Sequence, residues 1–142
     1  MDGASAGGLS PRDIPTHGAM DRSLSGTPVA LGDGRATVEL PTLDVMQADA
    51  SGLVHGGFVF SLADHAAMLA VGHPNVVLGS AQCRFLRPAV VGETLVAEAR
   101  LDRVDGKKHF VQVTVKRGDE AVFEGEMTCF VPPSHVLERK GQ

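Results

Sequence analysis

Val54-His55-Gly56-Gly57-Phe58-Val59-Phe60-Ser61-Leu62-Ala63-Asp64-His65-Ala66-Ala67-Met68-Leu69-Ala70-Val71 is the stretch on which the fold turns. From Phe58 to Val71 the only polar side chains are Ser61, Asp64 and His65. Leu, Ala and Met predominate, β-branched residues are few, and Gly72 and Pro74 punctuate the end, which predicts a helix. Apolar side chains occupy nearly its whole circumference, so other elements must wrap most of it. A carboxylate in such surroundings is costly unless it is paired or shifted in pKa, which makes Asp64 a structural anchor or a reactive group. Gly56 and Gly57 predict a tight turn into the helix N-terminus, where free N–H groups and the positive dipole end can hold developing negative charge. Turn geometry or close packing alone would also account for two glycines.

Outward from this helix the pattern is that of strands. Upstream, Arg35 to Leu40 alternates polar and apolar residues and stops at Pro41. Downstream, Val76 to Phe85, Glu93 to Val104, His109 to Arg117 and Glu120 to Val131 read as a meander, with Asp105-Gly106 and Gly118-Asp119 as turns. One strand, one buried helix and four antiparallel strands give an α+β fold in which a long sheet curls around a central helix. Residues 1–25 are rich in Gly, Ala, Ser and Pro and are expected as a flexible tail, with Met20 as an alternative start. Residues 26–133 then form the domain and 134–142 a second tail.

The chain has 142 residues, of which 43% are hydrophobic, enough for one domain with a real core. A formal charge of −4, the absence of Trp and Tyr, and the lack of any basic run give no footprint for nucleic acid. No apolar run reaches the roughly 20 residues that span a bilayer, and the start lacks the features of a secretory signal. Cys83 and Cys129 lie in apolar extended patterns and read as core thiols, which places the chain by default in the cytoplasm. Six histidines occur without HExxH or CxxC spacing, so neither a metal nor a cofactor is expected.

The order of elements, together with His55-Gly56-Gly57-x6-Asp64, resembles the hotdog-fold acyl-CoA thioesterases of the phenylacetate-pathway type. The resemblance covers roughly residues 27 to 131 and extends to Phe85-Leu86-Arg87-Pro88, Gly92-Glu93-Thr94-Leu95, and Gly52 before the histidine. It implies that Asp64 acts as general base or nucleophile and that the Gly56 N–H polarises the thioester carbonyl, with Gly57 shaping the turn. Members of that family often carry Asn six residues before the histidine, where this chain has Asp49, an acid that would either help position the substrate or repel Asp64. A hydroxyl on the strand after the helix often completes the family site, and Ser80 is the candidate here.

Spacing adds a constraint of its own. Gly57 and Asp64 are two helical turns apart, roughly 10 Å along the axis. One carbonyl cannot lie within roughly 3 Å of both, as oxyanion donation and attack require. Antiparallel helices across a twofold axis would instead bring Asp64 of one subunit to the Gly56 turn of the other. The family forms such dimers, and tetramers of them are equally compatible with the sequence.

Each remaining candidate has a plainer reading beside the functional one. His55 either takes part in chemistry or holds the loop by hydrogen bonding. His65 lies about 100° around the helix from Asp64 and is expected to face another surface. Phe58, Met68 and Phe85 are candidates to line an acyl pocket. Arg84, Arg87, Lys107 and Lys108 either meet the phosphates of coenzyme A or protect a solvated sheet edge. Three functions fit: hydrolysis of an acyl-CoA or related thioester, an acyl-CoA binding or sensing module, and a hydratase or dehydratase using His55 with Asp64. A purely structural dimer is the plainest option.

Overall fold

The computed structural model describes residues 8–138. Six strands form one antiparallel sheet: β1 (Thr27–Gly32), β2 (Arg35–Pro41), β3 (Val77–Phe85), β4 (Thr94–Asp105), β5 (Lys108–Arg117) and β6 (Glu120–Phe130). Their spatial order is β1-β2-β4-β5-β6-β3, so β1 and β3 are the edges. The short helix α1 (Arg22–Ser25) precedes β1, and the long helix α2 (Gly56–Val71) lies across one sheet face between β2 and β3.

Alternation along the strands explains the core. Leu40 pairs with Leu95, Val38 with Ala97 and Ala36 with Ala99. Farther across, Ala97 pairs with Val115, Ala99 with Val113, and Val115 with Phe123, so each ladder sets apolar side chains on one face. Against that face α2 packs Leu62, Ala63, Ala66, Ala67 and Met68, all fully buried. Four alanines on the helix, Ala63, Ala66, Ala67 and Ala70, let the sheet backbone approach closely, while Leu62, Met68 and Phe123 fill the remaining volume. Burying each large side chain contributes roughly 2 kcal/mol. The helix ends at Gly72, whose left-handed backbone (φ 69°) lets its N–H donate to the Met68 carbonyl. This sheet around a helix is the hotdog arrangement that the sequence implies.

Two expectations meet a different outcome. Strand β1 was not legible, because Pro28 and a bulge between Pro28 and Ala30 break the alternation that marks a strand; an edge position tolerates both. Residues 9–25, expected within the N-terminal tail, are folded onto the domain. The Leu9 N–H donates to the Pro28 carbonyl (2.8 Å), and Ile14 and Leu24 pack on the core. The expected tail at residues 1–7, and residues 139–142 at the other end, lie outside the described residues. Among the described residues, no helix is long and apolar enough to cross a membrane.

Candidate active site

Helix α2 starts without a side-chain cap: His55 is its N-cap residue, with extended backbone (φ −64°, ψ 132°). Among the described residues, neither the Gly56 nor the Gly57 N–H donates to a loop carbonyl, so both remain open to a ligand. The turn itself is fixed from both sides, by the His55 N–H donating to the Met46 carbonyl (2.8 Å) and the Val54 N–H donating to the Ala89 carbonyl (2.8 Å). Both glycines also have tight surroundings. A Cβ on Gly56 would meet the Phe85 ring at 3.3 Å, and one on Gly57 would meet the His55 imidazole at 3.0 Å. His55 is exposed, folds over Gly57 and sits edge-on to Phe58 at 6.2 Å. A cavity of about 280 Å³ opens beside this turn, lined by Gly56, Val59, Phe85, Leu86 and Arg87.

Asp64 lies in the middle of α2 in a different cavity, of about 400 Å³. Met68, Val76 and Leu78 form its apolar wall, and Thr16, His17 and His135 its polar side. Burial pushes the Asp64 carboxyl up to about 6. Its Oδ1 is buried and has no hydrogen-bond partner, so the structural-anchor reading finds no support at that oxygen. The same charge, after burial itself, pushes the neighbouring Cys129 thiol up to about 12, which leaves that thiol inert. Cys83 and Cys129 are both free.

His65, next in sequence, points elsewhere. Its Nδ1 donates to the Ser25 carbonyl (3.0 Å), an interaction that fixes the proton on Nδ1 and leaves Nε2 buried and bare. Burial lowers its pKa, against the raising effect of that hydrogen bond.

The other candidates fall in separate places. The Asp49 carboxylate accepts from the Ser51 N–H (2.9 Å) and from Ser51 Oγ (2.5 Å) in an exposed turn; these bonds lower its pKa and occupy it locally. Ser80 pairs with Thr128 after a bulge that separates it from Leu78, which turns its side chain to the outer sheet face, away from α2. Phe58 packs against the core, and Phe85 lies over Gly56, edge-on to Phe123 at 5.1 Å. Met68 alone of the three pocket candidates lines the Asp64 cavity. Arg84 pairs with Glu124, and Arg87 pairs with Glu120 (3.5 Å) and donates to the Ala121 carbonyl (2.9 Å). Lys107 lies in the β4–β5 turn and Lys108 opens β5, and neither makes an ion pair among the described residues. Another cavity, of about 730 Å³, is an open groove on the outer face among polar and charged side chains such as Gln82, Arg84, Arg100, Glu124 and Glu126, and Asp64 does not line it. No cluster of three or more metal-ligating side chains occurs among the described residues.

The thioesterase superfamily model matches residues 51–124, a span that includes Gly56, Gly57 and Asp64. The chain belongs to the thioesterase superfamily. Among solved structures, an uncharacterized protein from Pyrococcus horikoshii superposes on this thioesterase-superfamily chain with a TM-score of 0.86 at 49% identity, covering 92% of this chain and 98% of that one. The PaaI protein from the phenylacetic acid degradation operon of Escherichia coli shares the hotdog fold, with a TM-score of 0.71 at 23% identity over 80% of this chain and 84% of that one. Similar curated proteins carry other names. A methylthioribose-1-phosphate isomerase from Aquifex aeolicus is 51% identical over 80% of this chain, and transcription factor FapR from a Thermoanaerobacter species is 31% identical over 84% of it. The chain spans 25% of the length of the first and 62% of the second.

The features that sequence reading missed are Thr16, His17 and His135. They reach the Asp64 cavity from segments far away in the chain, and no periodicity or motif marks them.

Proposed function

We propose that this protein hydrolyses an acyl-CoA or a related acyl thioester at two composite sites in a homodimer. The observation that carries the reading is the pairing of an unpartnered, desolvated Asp64 with an uncapped Gly56 turn that opens on a separate cavity of the same chain. Strand β3 supplies a way to join them. Val77 and Leu78 at its start border the Asp64 cavity, and Phe85 at its end borders the Gly56 cavity. As an edge strand it presents unpaired backbone groups, a template for another strand. Antiparallel pairing of two β3 copies about a twofold axis would lay the start of one on the end of the other, and so set Asp64 beside the partner's Gly56 turn. Exposed Leu53, Phe85, Leu86 and Val90 near that turn give the contact an apolar component.

The four basic candidates support the same geometry. Lys108 and Val77 both pair with Phe130, so Lys107 and Lys108 lie toward the start of β3, whereas Arg84 and Arg87 lie at its end. A twofold axis through β3 would gather both pairs around each site, where the phosphates of coenzyme A require cations.

In this reading the thioester oxygen accepts from the Gly56 N–H, and charge developing on it is held by that donor and the helix dipole. Asp64 takes the proton of a water that adds to the carbonyl carbon; collapse expels the thiolate, which recovers the proton from Asp64. The alternative is direct attack by Asp64 to give a mixed anhydride that water opens. Both routes need the ionised carboxylate. Since burial raises its pKa to about 6, kcat/KM should rise tenfold per pH unit below that value and level off above it. Thiol release across pH from a panel of aryl and aliphatic acyl-CoAs tests this, and a flat profile from pH 5 to 8 would contradict it.

A second reading, a non-catalytic acyl-CoA binding module, is favoured by the similarity to a transcription factor. Tight binding of acyl-CoA without release of thiol would select it.

A further inference from the structure

We propose that the Thr16–His17 segment caps the Asp64 cavity and sets the length of acyl chain it admits. The inference rests on the reading of Asp64 as the group that acts on a thioester, and it adds a specificity-determining residue, His17, to that site. Residues 9–25 run as a strap antiparallel to α2. Pro15 lies at the C-terminal end of the helix, 3.7 Å from where a Cβ on Gly72 would stand. Next, His17 stacks on His65 with ring centroids 6.5 Å apart and planes 26° apart. Farther along, Ser25 Oγ meets Ser61 Oγ at 2.8 Å, and the Ser25 carbonyl accepts from His65 Nδ1. The strap is tied at its start as well, by Arg22 Nη1 donating to the Leu9 carbonyl (2.5 Å). It is thus held along the Ser61 and His65 face of the helix, adjacent to the face that carries Asp64, and at Thr16 and His17 it reaches the edge of the Asp64 cavity.

The backbone at His17 adds a separate observation. Its φ of 60° is left-handed, a conformation that glycine adopts freely and a histidine adopts at a cost of order 1 kcal/mol. Position 17 nevertheless carries an imidazole, fixed by a 2.7 Å hydrogen bond between Thr16 Oγ1 and Nδ1 and by the stack on His65. A bulky, oriented ring at a position that favours no side chain is suited to closing a cavity whose lining also includes the apolar Met68, Val76 and Leu78. A ring there stops a long acyl chain and leaves a short one in contact with apolar surface.

The left-handed backbone makes the role separable from stability, because His17→Gly relieves the conformation while removing the ring. Binding of non-hydrolysable thioether analogues of butyryl-, octanoyl- and dodecanoyl-CoA is measured by calorimetry on the full chain, beside the thermal midpoint. The wild type is expected to favour butyryl over dodecanoyl, and His17→Gly to lower that ratio by about tenfold, the scale at which apolar pockets discriminate chain length. His17→Asn, which also accepts the left-handed backbone, should lower the ratio less, and it serves in place of the glycine variant should that unfold. A ratio unchanged in both variants, or a wild type that prefers dodecanoyl, overturns the cap. Loss of turnover in Asp64→Asn alongside an unchanged ratio defeats the cap alone, whereas full turnover in Asp64→Asn defeats the reading beneath it. Absence of binding by the wild type to any analogue overturns both.

Discussion

Asp64→Asn is expected to lower kcat by at least about a hundredfold on any acyl-CoA the wild type turns over, with the oligomer intact by light scattering. The amide keeps the shape of the side chain but can neither accept a proton from water nor attack a carbonyl. The same change should raise stability near neutral pH. Burial holds the folded pKa near 6 against an ordinary value of 3.8, so the folded state binds the proton more tightly than the unfolded chain does. The wild type therefore loses stability as pH rises from about 4 to about 6 and stays at the lower level above that, by at most about 3 kcal/mol. Asn carries no such cost. Denaturant midpoints for both proteins at pH 4.5 and pH 7.5 should diverge at the higher pH and converge at the lower, and a variant that is less stable at both would contradict a strained carboxylate.

Gly56→Pro is the second large effect. Proline lacks the N–H assigned to the thioester oxygen yet suits the first position of a helix, and the extended His55 before it is a conformation that proline accepts. The added ring meets the edge of the Phe85 ring, at the exposed end of that side chain in the single chain. Fold and dimer should survive while kcat falls by about 10² to 10³, the range for removal of one oxyanion donor. Gly56→Ala, which retains the N–H and adds only a methyl group near Phe85, should lose far less. Equal losses in the two variants would indicate crowding rather than a missing donor.

The helix and five of the six strands were legible because each carries a regular period: continuous apolar surface for α2, and alternation for β2 and for β3 to β6. The expected four-strand meander holds only for β4-β5-β6, since β3 crosses over to pair with β6 at the far edge. What the sequence hid was long-range. Ser80 illustrates why. Counting by twos from Leu78 puts Ser80 on the core face, but the bulge at Gly79 inserts one residue and turns Ser80 outward. The glycine is required there because the Phe130 ring lies where a Cβ would stand, at 2.1 Å, a cross-strand fact absent from local pattern. Likewise, a stretch of Gly, Ser and Pro reads as a tail, and only the tertiary contacts of Ser25 with Ser61 and His65 make it a strap. Asp64 was legible for the opposite reason: one acid in an apolar helix conflicts with the local rule, and such conflicts gather at functional sites. Asp49 broke no rule of its turn, and its carboxylate is occupied there by Ser51.

Subunit mixing tests the composite site most directly. Asp64→Asn and Gly56→Pro chains, each nearly inactive alone, are unfolded together in equal amounts and refolded. Half of the dimers then pair one chain of each kind, and each mixed dimer holds one site with both Asp64 and Gly56 intact and one with both lost. The account predicts recovery of about a quarter of wild-type turnover. Recovery no greater than the average of the two parents would place Asp64 and Gly56 in the service of a site within one chain and contradict the account.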